Sequence, residues 1–71
     1  MAKQRFRVVG MTCEHCVAAV SDEVSVIEGV SDVSIELVVG GESIVVVDAD
    51  HELSVDVVRA AVDEAGYELV G

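Results

Sequence analysis

Cys13 and Cys16 are the residues of this chain best suited to chemistry, two thiols separated by Glu14 and His15 in the run Gly10-Met11-Thr12-Cys13-Glu14-His15-Cys16. Residues three apart on a helical turn share a side, so the two sulfurs can face each other. The run falls where a strand pattern hands over to a helix pattern. Unpaired backbone N–H groups and the positive end of the helix dipole at such a point favour thiolate over thiol and are expected to lower both cysteine pKa values. A thiolate pair is an avid ligand for soft metals. Structural zinc almost always takes four protein ligands and iron–sulfur clusters usually take four cysteines, whereas this chain has two cysteines in all. Cu(I), with a filled d shell and a softness matched to sulfur, is satisfied by two thiolates alone. The count of sulfurs therefore points to Cu(I), and an ion so incompletely surrounded stays open to attack by an incoming thiolate.

Positioning such a pair takes a small set of elements. Gln4, Phe6 and Val8 alternate with Arg5, Arg7 and Val9, a period of two that predicts a strand with one face buried. From Cys13 to Val26 the apolar positions Cys16, Val17, Val20 and Val24 recur at helical spacing, with Asp22 and Glu23 on the opposite side. Gly29 separates this helix from a second strand, Val30 to Leu37, in which Val33, Ile35 and Leu37 oppose Ser34 and Glu36. Gly40-Gly41 is a hairpin signal, since adjacent glycines tolerate the positive φ of tight turns, and Ser43 to Val47 is the third strand. Ser54 is placed to cap a second helix whose apolar face is Val57, Val58, Ala61, Val62 and Ala65, with Gly66 at its exit. Tyr67 to Val70 makes a short fourth strand. Lys3, Arg5 and Arg7 then project from one side of the first strand as a solvated face, with Glu68 as an expected cross-strand neighbour.

The order strand, helix, strand, strand, helix, strand is a split β-α-β pattern. Both helices must cover one face of a four-stranded antiparallel sheet, because so short a chain offers no other place to hide their apolar stripes. The expected class is thus α+β, a βαββαβ sandwich with two helices on one face. Seventy-one residues make a single domain, 1–71, that removes only about 60% of its unfolded surface from water. With 52% hydrophobic residues but one Phe, one Tyr and no Trp, the core has to be built from Val, which favours strands. Little room is left for an enzyme pocket, and a non-enzymatic role is expected. Fourteen acidic residues against four basic ones, a net charge of -10, argue against nucleic acid or anionic membrane as partners, since those contacts rest on Lys and Arg. The apolar run after Arg7 is too short for a secretory signal and no segment approaches a membrane span. Two cysteines this close do not staple a fold, so a reducing cytoplasm is the expected location.

The Gly10–Cys16 run, the order of elements and Ala65-Gly66-Tyr67 together resemble the heavy-metal-associated domain family over essentially the whole chain. Within it the chain looks most like the bacterial copper chaperones, which carry Cu(I) in the cytoplasm to copper-exporting P-type ATPases and sometimes to copper-responsive repressors. The resemblance implies a ferredoxin-like fold, Cys13 and Cys16 as metal ligands, Met11 tucked beneath the metal loop, and Tyr67 approaching from the loop after the second helix. Zinc and cadmium relatives often carry an acidic residue before the first cysteine; Thr12 stands there in this chain and favours copper. Periplasmic mercury carriers have a signal peptide, which is not visible here. The implied protein is a cytoplasmic copper chaperone, monomeric without metal and able to form a metal-bridged dimer. The same fold could instead serve as the metal-binding regulatory domain of a Cu, Zn, Cd or Hg transport ATPase.

Blander readings stand beside these. A thioredoxin-like redox role competes for any C-x-x-C near β-α-β units, but it calls for a longer chain and usually a proline near the cysteines, and this chain has no proline. His15 is a third ligand, a cation that depresses the cysteine pKa values, or an exposed residue of the first helical turn, the last being favoured. Met11 reads as core filler before thioether ligand, Thr12 as a helix cap, and Tyr67 as either a shield for the loop or plain packing. Asp48, Asp50 and Glu52 around His51 suggest a calcium loop, but Leu53 stands where glycine is required and Arg59 where the terminal glutamate belongs.

Overall fold

Alternation in the first segment becomes β1 (Ala2–Val9), followed by α1 (Glu14–Ser25), β2 (Val30–Glu36), β3 (Ser43–Ala49), α2 (Val55–Glu64) and β4 (Glu68–Leu69) in a computed structural model that describes residues 2–71. The strands form one sheet in the order β2-β3-β1-β4, antiparallel throughout. This is the expected βαββαβ architecture with both helices on one face. Phe6 and Val8 of β1 and Val45, Val47 and Ala49 of β3 point into a core completed by Val20 and Val24 of α1 and Val58, Ala61 and Val62 of α2. Seven valines among these are essentially inaccessible to solvent, each worth about 1.5–3 kcal/mol of burial. The valine-rich composition is thus spent in a single layer between sheet and helices.

Several boundaries differ from the sequence reading, each for a local reason. Val57 is 45% exposed, because the buried stripe of α2 is the narrower set Val58, Ala61 and Val62. Ser54 does cap this helix, its hydroxyl accepting from the Val57 N–H at 3.3 Å. At the far end Tyr67 N–H reaches the Val62 carbonyl (3.1 Å) and Gly66 N–H the Asp63 carbonyl (2.9 Å), with Gly66 at φ 92°. That pair of bonds is a Schellman exit, which needs a residue at ease with positive φ. In the hairpin only Gly40 takes positive φ. The turn runs Val38 to Gly41, closed by Gly41 N–H to the Val38 carbonyl at 3.3 Å, and the buried Ser43 hydroxyl accepts from Val38 N–H at 2.9 Å. The fourth strand is Glu68–Leu69 alone, although Val70 N–H to the Arg7 carbonyl and Arg7 N–H to the Gly71 carbonyl continue its attachment to β1. Glu68 lies opposite Val9, so it is Glu42 that meets a cation of β1, through Arg7 at 3.3 Å.

Gln4, on the core-facing side of β1, earns its place by hydrogen bonding. Its side-chain amide donates to the Leu53 carbonyl (3.0 Å) and accepts from the Leu53 N–H (2.7 Å), clamping the segment before α2 to the sheet. Gln4→Ala leaves both backbone groups of buried Leu53 without these partners, at a cost of about 2 kcal/mol. In a domain of this size that lowers Tm by about 8–16 °C. Urea and thermal unfolding measure it; an unchanged midpoint would remove the clamp from the account of stability.

Candidate metal centre

The candidate metal loop is the crossing from β1 to α1. Gly10 turns the chain out of the sheet at φ 98°, and a Cβ there would lie 3.4 Å from the Tyr67 ring. Met11 is next and is 1% exposed, so it anchors the loop in the core while Thr12 and Cys13 stay in solvent. Cys13, not Thr12, is the N-cap residue of α1. It is extended (φ −157°, ψ 175°) and makes no side-chain capping bond, while its carbonyl accepts from Cys16 N–H (3.1 Å) and Val17 N–H (3.3 Å). The register is one residue later than the capping preference of threonine suggests. It leaves Cys13 Sγ free of the helix it opens.

The two sulfurs lie 3.6 Å apart as free thiols, Cys13 exposed and Cys16 half-buried. Thr12 Oγ1 is 3.8 Å from Cys16 Sγ. The thiolate preference expected at a helix start is present at Cys16, whose pKa is brought down to about 6. The cause is chiefly the Thr12 backbone N–H hydrogen-bonded to the sulfur, then the Tyr67 hydroxyl, with Cys13 N–H and the Thr12 hydroxyl adding to it against partial loss of water. Reciprocally, donation to Cys16 raises the Tyr67 pKa, since a phenol that serves a thiolate keeps its proton. Tyr67 is therefore packed over Gly10 with its hydroxyl turned toward the site. His15 is exposed, and among the described residues no set of three His, Cys, Asp or Glu side chains converges on a metal position.

The donor set suits a soft ion of low coordination number. With metal–sulfur bonds of about 2.3 Å, a linear arrangement needs sulfurs about 4.6 Å apart. The observed 3.6 Å falls short of this, and a turn of the exposed Cys13 side chain about χ1 opens the pair without disturbing the core. A four-ligand zinc site finds only half of its protein ligands here.

Fold and site together define a class, and the comparisons agree with it. The heavy-metal-associated domain profile matches residues 5–68; the chain belongs to this family. It is 38% identical over 69 residues to the copper chaperone CopZ of Bacillus subtilis, with 97% of each chain covered. A solved CopZ metallochaperone superposes with a TM-score of 0.83 at 30% identity, covering 97% of this chain and all of the other. The Cu(I)-loaded N-terminal domain of a potential copper-translocating P-type ATPase from Bacillus subtilis gives a TM-score of 0.74 at 33% identity, covering 94% of this chain and 81% of that one.

The Cys16 shift has a direct readout. In a Cys13→Ser background, the rate of alkylation by iodoacetamide should follow the thiolate fraction: high above pH 7 and falling as pH drops through about 6. Tyr67→Phe removes a donor that favours the thiolate, so its midpoint moves up in pH. A midpoint in the ordinary cysteine range, or one indifferent to Tyr67→Phe, contradicts the assigned hydrogen bonds.

Proposed function

We propose that this protein is a cytoplasmic copper chaperone that binds one Cu(I) through Cys13 and Cys16 and passes it by ligand exchange to a copper-transporting P-type ATPase, with a copper-responsive repressor as a further recipient. The observation that carries this reading is the pair of free sulfurs 3.6 Å apart at a solvent-facing loop with no third His, Cys, Asp or Glu beside them among the described residues. Such a site binds a soft ion and leaves it approachable. Exchange breaks no substrate bond: an acceptor thiolate joins the ion, one donor sulfur leaves, and a second acceptor thiolate completes the transfer. With its pKa at about 6, Cys16 departs as a thiolate at neutral pH and needs no proton. Thr12 and Tyr67 tune that sulfur, Met11 fixes the loop from below, and His15 stays outside the ligand set of a single chain, free to contribute where two chains share an ion.

The likeness to an ATPase N-terminal domain favours one second reading, in which the same site receives copper within a transport ATPase. The two share the site chemistry and differ in whether the domain diffuses freely. No helix of the described chain is long and apolar enough to cross a membrane.

Anaerobic titration of the reduced protein with Cu(I) against a chromogenic competitor should show one ion per chain, with high-affinity binding lost in Cys13→Ser and in Cys16→Ser. Because the ion is held by the native state, loading to about 100 times Kd should stabilise the fold by about 2.7 kcal/mol. Undiminished binding in both serine variants would refute the site.

A further inference from the structure

The face of the sheet turned away from the helices carries a charge pattern that complements itself. Three of the four Lys and Arg residues of the chain, Lys3, Arg5 and Arg7, lie on it, all exposed in a protein whose net charge is -10. Strand register sets them in rows with β3 and β2. Arg7 pairs with Ile44, and Ile44 with Glu36; Arg5 pairs with Val46, and Val46 with Ser34; Lys3 pairs with Asp48, and Asp48 with Asp32. Directly opposed residues of an antiparallel sheet share a face. Across the sheet, then, a basic column on β1 and an acidic column on β2 flank the half-buried aliphatic side chains Ile44 and Val46 of β3. Among the described residues Lys3 and Arg5 have no ion-pair partner within bonding distance, and Arg7 meets Glu42 with one of its N–H groups, leaving further donors of the guanidinium unused.

We propose that this face pairs with the same face of a second copy, forming a weak dimer that does not depend on metal. A two-fold axis running along β3 between two sheets about 10 Å apart sets the β1 of each copy over the β2 of the other at unchanged height. Arg7 then faces the partner copy's Glu36, Lys3 faces its Asp32, and Ile44 and Val46 meet their own equivalents. An isologous interface requires this self-complementarity, and a second copy supplies it without any further assumption about a partner. Two like-charged meetings lie on the axis, between the two Asp48 side chains at one end and between the two Glu42 side chains at the other; both fall where twisted sheets splay apart, with Lys3 beside the first and Arg7 beside the second. The face is small and the net charges repel, so the association is weak and the protein is monomeric when dilute. Both metal loops lie at the same end of the pair and remain open, so the interface is independent of the proposed copper function.

The test uses the Cys13→Ser/Cys16→Ser chain, which removes metal bridges and disulfides. Sedimentation equilibrium from about 10 µM to about 1 mM, a range suited to weak binding, should show mean mass rising from the 7.4 kDa of one chain toward twice that. Lys3→Glu/Arg7→Glu should abolish the rise, as should Asp32→Lys/Glu36→Lys, while a mixture of the two variants should associate again, since positions 3 and 7 of each chain then face charges of opposite sign at positions 32 and 36 of the other. A mass fixed at one chain up to about 1 mM, self-association of either variant as strong as that of the parent, or a mixture that does not associate overturns the proposal. Thermal unfolding of each variant confirms that the exposed substitutions leave the fold intact.

Discussion

Two sulfurs have to be held side by side and yet left uncovered, and the rest of the structure answers to that constraint. A core residue is held by being surrounded, but an exchangeable ligand cannot be. The loop therefore alternates its commitments within four residues. Gly10 turns out of the sheet at positive φ, Met11 plunges into the core at 1% exposure, and Thr12 and Cys13 return to solvent. Burial of Met11 fixes the loop from beneath, and the Cys13 carbonyl fixes its far end to α1 through the N–H groups of Cys16 and Val17. Neither anchor covers the thiols.

The sheet order explains why this loop can be rigid in so small a chain. β1 is a central strand, paired to β3 over seven positions and to β4 at its end, so the loop that carries the thiols leaves from well-supported backbone. β4 needs only two residues because its task is local: it ties the exit of α2 to the top of β1. That tie brings Tyr67 over Gly10 and its hydroxyl to the Cys16 sulfur. The Schellman turn at Gly66, a matter of helix termination, is in this way also what delivers a donor to the site.

Much of this was legible from residue order because the two periodicities, 2 and 3.6, change at glycines. Gly29 and Gly66 both take positive φ, and each separates a helix from the strand that follows it. The thiol pair was legible as well, being local in sequence. What escaped depends on register between distant segments. That Gln4 serves the backbone of Leu53 follows from where the α2 entry lies against β1, and nothing near Gln4 announces it. The partner of Arg7 is Glu42 instead of Glu68 because the hairpin, a six-residue connection between Glu36 and Ser43, places Glu42 beyond Ser43, itself opposite Val8. Thr12 looked like the cap because threonine is the better capping residue; the cap fell to Cys13 because burying Met11 sets where the helix can begin. Val57 fits the helical stripe by spacing, yet lies at the first turn of α2, lining a groove with Ile27 and Leu53 instead of the core.

The sulfurs are not equivalent, and the difference gives the proposed exchange an order. Cys16 sits within α1, half-buried, with donors from Thr12, Cys13 and Tyr67 converging on its sulfur. Moving it means taking the charge away from those donors or turning the helix. Cys13 precedes the helix in extended backbone, exposed and without a capping role, so its side chain rotates at little cost. An ion that draws the sulfurs from 3.6 Å toward a wider separation moves Cys13 and not Cys16. The same asymmetry governs release: an incoming thiolate approaches from solvent, on the side of Cys13, and the ligand with fewest ties is displaced first. In the proposed exchange Cys16 is thus the ligand that keeps hold of the ion until the acceptor has made its first bond, and the metal need never be free in solution.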